Sequence, residues 1–326
     1  MDEITLAPAL AELLAPDSVT DVLLNGCGET WVDGADGLVR LETNPFSSEV
    51  ELQDAAIDLV ASAGRHLDAA HPFADVALPG GLRLHAVLAS ACSERTLVSI
   101  RKHRAESLSL DDLCANGMVS KAQADLLRRI VARRESFLIS GATGVGKTTL
   151  LRALLGLCSG ERVLVLEDVS ELAVGNPEFI SLQTRQANVE GRGEVGLDRL
   201  VRESLRMRPD RLVVGEVRGA ELLVMLQALN TGHSGAGATI HANSLEGVAR
   251  RLTAIGQSAG LSAEALAGQA ASAFSWVLQL DAVRNGSTRA RKLVGIGRCG
   301  LSASGQLEIK EVSLKHPSFG LVAQVA

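Results

Sequence analysis

The first hundred residues change hydrophobic period several times, as a fold of short strands and helices requires. "VTDVLLNG" (Val19 to Gly26) reads as a strand ending in a turn, and "ETWVDG" as a second that closes on Asp33-Gly34. "SEVELQDAAIDLVASAG" has helical spacing with a stop at Gly64, and "ADVALPGGLRLHAVLAS" alternates on either side of Pro79-Gly80-Gly81, which predicts a hairpin. "RTLVSIRKH" follows as a further strand. From Arg104 to Met118 the chain turns polar, with Ser109 positioned to cap a short helix "LDDLCA". The pattern predicts an N-terminal α/β domain over 1–104, a linker with a short helix over 105–119 and a second domain over 120–326.

In that second domain apolar runs take turns with amphipathic helical stretches: "SFLIS", "TTLLRALLGL", "RVLVLED", "LDRLVRESLRM", "RLVVGEV", "GAELLVMLQALN", "GAGATIHA". Runs that are apolar throughout suit strands covered by helices on both faces, and so predict a largely parallel sheet. "SWVLQL", "ARKLVGIGRCG" and "LEIKEVS" read as strands added near the C-terminus, and no internal repeat is present.

A chain of 326 residues, 46% hydrophobic and 21% charged, has room for about two domains with a sizeable core. No stretch approaches the ~18 apolar residues of a spanning helix. The start, "MDEITLAP", is acidic where a secretory signal is basic. A cytoplasmic location is therefore expected. Five cysteines without a C-x-x-C pair argue against a zinc module or a disulfide framework. The net charge of −6, 2% aromatic content and absence of tyrosine speak against a nucleic-acid surface, so no nucleic-acid partner is expected.

The most specific signal is "GATGVGKTT". Gly141, Ala142, Thr143, Gly144, Val145, Gly146, Lys147 and Thr148 match G-x-x-x-x-G-K-[ST], with Thr149 next, and the run stands between a predicted strand and a predicted helix. In such a loop backbone N–H groups and a helix N-terminus surround phosphates, the lysine reaches the β/γ-phosphates and the hydroxyl of Thr148 offers a ligand to Mg2+. ATP and Mg2+ are the expected cofactors. Two further strands end in carboxylates: "RLVVGEVRG" in Glu216 and "VLVLEDVSEL" in Glu167 and Asp168, with Glu171 a turn later. Each could equally be a helix cap. "NTGHSGAGATIHANS" carries His233 and His241 among small residues, which suits sensing of the γ-phosphate better than metal binding.

From "GATGVGKTTLL" through "LEDVSEL", "LQTRQANVEGRGEV", "LRMRPDRLVVGEVRG" and "MLQALNTGHSGAGATIHANS" the chain resembles the type II/type IV secretion ATPase superfamily. Within it the sequence looks most like the CpaF/TadA (tight-adherence pilus) branch. "VTDVLLNG", "PFADVALPGGLRLHAVLA" and "SIRK" extend the resemblance over nearly the whole chain. It implies a RecA-like P-loop NTPase domain behind a smaller N-terminal α/β domain, with nucleotide between them, in a homo-hexameric ring. It also implies that Lys147 and Thr148 are the Walker-A lysine and magnesium ligand, Glu216 the Walker-B glutamate and part of the magnesium shell, Glu167, Asp168 and Glu171 the Asp box, and His233 and His241 the His box. Arg185, Arg206 and Arg208 fall where the branch has arginines, and Arg101 falls where relatives bring an arginine to the phosphates. The first helix-like run, "APALAELLAP", comes close to the start, so the long N-terminal extension of many such proteins is expected to be missing.

The function so implied is Mg-dependent ATP hydrolysis that powers assembly or secretion of pilin-like subunits. The expected partner is an inner-membrane platform protein, which would hold this ATPase at the inner face of the membrane. Glu167 is read as the base that activates water and Glu216 as the magnesium-shell carboxylate, with the reverse assignment open. A RecA-like nucleic-acid motor is the rival reading, because sheets of this kind also drive helicases.

Overall fold

The computed structural model describes residues 8–16, 18–34, 37–90, 93–102, 108–172, 179–187, 192–285 and 288–313. The chain divides into two compact units. One comprises Met1–Glu106, Val169–Glu171 and Thr184–Val195, the other Ser107–Asp168, Leu172–Gln183 and Gly196–Ala326. The expected boundary at 104/105 lies outside the described residues.

The N-terminal unit holds α1 (Pro8–Leu14), β1 (Asp21–Asn25), β2 (Thr30–Gly34), β3 (Gly37–Leu41), α2 (Glu49–Ser62), β4 (Phe73–Leu78), β5 (Leu82–Val87) and β6 (Leu97–Lys102). The strands form one antiparallel sheet in the order β3-β2-β1-β6-β5-β4. Strict alternation puts Val22, Leu24, Ala74, Val76, Leu84, Ala86, Val98 and Ile100 on one face. Leu52, Ala56, Leu59 and Val60 of α2 share that core. The predicted hairpin forms at Pro79–Gly81, with Gly80 in the left-handed region. The edge strand β3 goes unannounced in the sequence because four of its five residues are exposed and no apolar face marks it.

The second unit begins with α3 (Leu110–Ala115) and α4 (Lys121–Ala132). Each opens on a capping box, Ser109 with Asp112 and Ser120 with Gln123, which satisfies otherwise orphaned N–H groups at the helix start. The described part of the predicted linker is packed structure. Leu110, Leu113, Met118 and Val119 are buried in this unit's core, hidden in the sequence by the polar residues around them.

There follow β7 (Phe137–Ser140), α5 (Lys147–Leu155), β8 (Val163–Glu167), β9 (Phe179–Gln183), α6 (Leu197–Ser204), β10 (Arg211–Val214), α7 (Glu221–Leu229) and β11 (Gly237–Ile240). The described chain ends in α8 (Leu245–Ser258), α9 (Ala263–Ala273), β12 (Trp276–Asn285), β13 (Thr288–Leu301) and β14 (Leu307–Glu311). The eight strands run β14-β13-β12-β7-β11-β10-β8-β9. Those from β12 to β9 are mutually parallel, while β13 and β14 are added antiparallel.

Both faces are covered, as the continuous apolar runs imply. Phe137, Ile139, Val163, Val165, Val213 and Leu278 pack with α3, α4 and α5. Leu138, Leu164, Leu166, Leu212, Val214 and Val277 pack with α6 to α9. The fold is α/β, a RecA-like P-loop NTPase unit together with a smaller N-terminal α/β unit. In parallel sheets of this kind ligands bind beyond the carboxyl ends of the strands, and there the sequence places its chemistry.

Candidate active site

Gly141 to Gly146 leave the end of β7 and enter α5. Gly141 (φ 151°), Gly144 (φ 76°) and Gly146 (φ 96°) all have positive φ, which only glycine adopts without strain. A Cβ on Gly141 would lie 2.6 Å from the carbonyl oxygen of Leu280, so the close approach of β12 also demands glycine there. Ala142, Thr143 and Gly144 are exposed at the tip, and Val145 is anchored in the core at 2% exposure. Gly146 is the N-cap of α5 and offers no side chain to the first-turn N–H groups, which stay free to meet an anion. Thr148 and Thr149 are half-buried in that turn.

Lys147 is 8% exposed. Its Nζ donates to the carbonyls of Gly141 (3.0 Å) and Ala142 (2.8 Å) and lies 3.3 Å from His241 Nδ1. Burial pushes its pKa down, against the opposing pull of Glu216. His241, just past β11, has Nε2 at 3.1 Å from Oε1 of Glu216, which stands just past β10. Burial lowers the His241 pKa, with Lys147 and Arg218 adding to the shift and Glu216 opposing it. A neutral imidazole with its proton on Nε2 satisfies both contacts: it donates to Glu216 and accepts from Lys147.

Arg218 completes the chain of charges. Its guanidinium meets Glu216 Oε2 at 2.7 Å and Asp168 Oδ2 at 3.7 Å. Burial alone would raise the Glu216 pKa, but hydrogen bonding and charge from Arg218, with His241 and Lys147, hold it below the usual carboxylate range. Glu216 is therefore a firmly ionised carboxylate. Sequence reasoning passed over Arg218, although it stands two residues after Glu216 in the same motif. The sequence signal was slight, because Asp168, the second carboxylate it meets, comes from a different strand end.

Glu167, at the end of β8, is 5% exposed. Both its carboxylate oxygens accept the Leu172 N–H at 3.2 Å, and its Cγ fills the space where Gly215 lacks a side chain. Glu171 groups with the N-terminal unit, where it pairs with Arg83. His233 caps the end of α7, its Nδ1 3.2 Å from the Ala228 carbonyl. Its only hydrogen bonds among the described residues tie it to that helix end.

Three of the four predicted arginines are held by other partners. Arg101 pairs with Asp21 at 2.9 Å, and Arg185 donates to the Gly193 carbonyl at 2.7 Å, both within the N-terminal unit. Arg206 pairs with Glu203 at 3.0 Å on the surface. Exposed Arg208 has φ 54°, an unfavourable conformation for a side-chain-bearing residue before Pro209.

A cleft of about 540 Å3 adjoins His241 and is lined also by Asn243, Ser244, Arg250 and Arg251. Among the described residues no three His, Cys, Asp or Glu side chains gather as a metal site, and no helix is long and apolar enough to cross a membrane. Cys27, Cys114, Cys158 and Cys299 are free thiols.

A doubly covered parallel sheet, a glycine loop feeding a helix N-terminus, a buried lysine and carboxylates on the neighbouring strand ends together define a nucleotide-binding ATPase of the P-loop class. The chain belongs to the Type II/IV secretion system protein family, which it matches over residues 7–322. It is 44% identical to a putative conjugal transfer protein of Mycobacterium tuberculosis, over 98% of this chain and 91% of that protein. It is 31% identical to the conjugal transfer protein TrbB of Rhizobium radiobacter, over 76% of this chain and 75% of that one. In fold it is similar to the Legionella pneumophila ATPase DotB, with a TM-score of 0.64 and 18% identity over 94% of this chain and 84% of that one.

Proposed function

We propose that this ATPase is a Mg-dependent motor which works as a ring of identical copies on the cytoplasmic face of a membrane and drives assembly or export of pilin-like subunits through a platform protein there. The observation that carries the reading is the Lys147–His241–Glu216–Arg218 chain at the carboxyl edge of the sheet, within a chain of the secretion family. The sequence resemblance supports the tight-adherence branch. The names of the two relatives make the transport apparatus of conjugation the neighbouring alternative.

The donor set suits Mg2+: a hard cation takes the Thr148 hydroxyl, phosphate oxygens and a carboxylate, directly or through water. When bound, the ion would offset charge on the β- and γ-phosphates. Lys147 then exchanges its loop carbonyls for phosphate oxygens. His241, touching both Lys147 and Glu216, links that exchange to the carboxylate. The low pKa of Glu216 makes it a weak base and a good charge partner, which supports its place in the magnesium shell and Glu167 as the group that orients and deprotonates water. Arg101, Arg185, Arg206, Arg208 and His233 enter the proposal on the resemblance alone.

The test is Mg-ATP turnover by the purified chain with bilayers that carry the platform protein and, separately, with single-stranded DNA, using Lys147→Ala as the blank. Stimulation by the membrane sample alone is expected. Stimulation by DNA alone would replace the proposal with a nucleic-acid motor. Glu167→Gln should bind ATP and lose turnover by about 10²-fold or more, whereas Glu216→Gln should shift the Mg2+ requirement upward. If only Glu216→Gln loses turnover with binding intact, the two roles are reversed.

A further inference from the structure

The hairpin of β12 and β13 overhangs the phosphate loop. β12 pairs with all of β7, Trp276 to Gln279 against Phe137 to Ser140, and then runs on to Asn285 where β7 gives way to the loop. A bulge between Gln279 and Leu280 marks the point of departure. On the returning strand the Leu293 N–H donates to the Met118 carbonyl at 2.8 Å, and Leu293 is buried in the core that α3, α4 and α5 share. Arg291, two residues earlier in β13, points to the same face. Its Cδ lies 3.6 Å from where a Cβ on Gly146 would be, so its stem crosses the entrance to α5. The residue is exposed, and its guanidinium has no ion-pair partner among the described residues.

The position fits one part of a nucleotide. Sheet order puts β11 and β10, with His241 and Glu216, on one side of β7, and β12 and β13 on the other. Lys147 reaches toward His241, so the γ-phosphate end lies on the β11 side. The nucleoside must leave the loop on a different side, and the β12–β13 flank carries a planar cation there. Among the described residues no aromatic platform for the base stands on that edge. Phe137, Phe179 and Trp276 begin their strands and Phe274 precedes β12, which puts the described aromatic residues of this unit at the amino ends of the parallel strands. Trp276 is in any case covered by Arg298, 4.4 Å from its ring.

We propose that Arg291 is a nucleotide-binding residue that lays its guanidinium plane on the base of the bound nucleotide and so takes the part an aromatic side chain plays elsewhere. The inference rests on the nucleotide reading of the loop and adds a specificity element to it.

Calorimetric titration of the full chain with ADP and with inorganic tripolyphosphate, without added metal, separates the two. Wild type should bind both, and Lys147→Ala should weaken both. Arg291→Ala should weaken ADP about tenfold and leave tripolyphosphate within about twofold. Arg291→Lys, which keeps the charge and loses the plane, should resemble the alanine variant. Lys292→Ala, which removes an equal charge from the next position, should bind both ligands like wild type. Unchanged ADP binding by Arg291→Ala, an equal loss of both ligands, or full recovery by lysine would each overturn the proposal. Wild type that binds neither ligand would instead overturn the nucleotide reading itself. Thermal melts of each variant confirm folding, and Arg291→Gln replaces the alanine variant if that one does not fold.

Discussion

His241 is a residue whose protonation the site opposes. Neutral, it accepts from Lys147 and donates to Glu216; protonated, it loses the acceptor and repels the ammonium. Its pKa is lowered from 6.5 by burial first, so the folded protein resists the charge that the unfolded chain takes up readily. The contribution of His241 to stability is therefore full above pH 6.5 and falls as the pH drops below that value. Turnover should show an acid limb with its midpoint below pH 6.5. In His241→Gln, which keeps a donor and an acceptor but does not titrate, that limb should vanish from the pH–rate profile. A limb unchanged in the glutamine variant would assign it to another group.

At the scale of elements, the phosphate loop depends on its fit under β12. Gly141→Ala places a Cβ 2.6 Å from a backbone carbonyl, which cannot swing away as a side chain can. The variant should lose about 2 kcal/mol or more of stability along with nucleotide affinity, both measurable by thermal melts with and without ADP. Gly160→Ala, at φ 70° with open space around it, supplies the comparison for backbone strain alone. The loop, the flanking strand and helix and the carboxylate-tipped strands were legible in the sequence because each is fixed by local chemistry. β10 stops at Val214 and leaves Glu216 just beyond it, and α5 begins at Lys147, one residue earlier than the pattern indicated. What stayed hidden depended on partners distant in sequence. Arg218 has meaning only once Asp168 and Glu216 face it, and Arg291 only once β13 folds back over Gly146. His233 and His241 looked alike in sequence, yet one caps a helix end and the other joins Lys147 to Glu216.

For the molecule as a whole, the net charge of −6 conceals two unlike halves. Residues 1–106 carry seven basic and seventeen acidic side chains, and residues 107–326 carry twenty-five and twenty-one. The glycine loop and Lys147 thus belong to the half with a basic surplus, which whole-chain charge could not show. Arg211, 3% exposed at the head of β10, supports that half from inside. It pairs with Glu161, which also meets Arg134, and donates to the carbonyls of Val131 and Gly235. Hydrogen bonding from Arg211 outweighs burial and lowers the Glu161 pKa. That contribution is present above pH 4.5, the unfolded value, and is lost as the pH falls through the lower folded value. Glu161→Ala, which strands a buried cation, should cost about 3–5 kcal/mol. A melting temperature near that of wild type would show that Arg211 finds its compensation in the carbonyls alone.

The grouping of Val169–Glu171 and Thr184–Val195 with the first hundred residues sets a rule for dissection at the level of the gene. Neither unit is a continuous stretch of coding sequence. A fragment that starts at residue 107 carries two excursions without their packing partners, Glu171 without Arg83 among them. A fragment that stops at residue 106 leaves Arg83 without that carboxylate. The two halves are therefore better separated by point substitution than by truncation, and a recombinant library that shuffles such ATPases at a single crossover near residue 105 should yield poorly folded chimaeras. Crossovers chosen to move 169–171 and 184–195 together with the N-terminal half should preserve the fold.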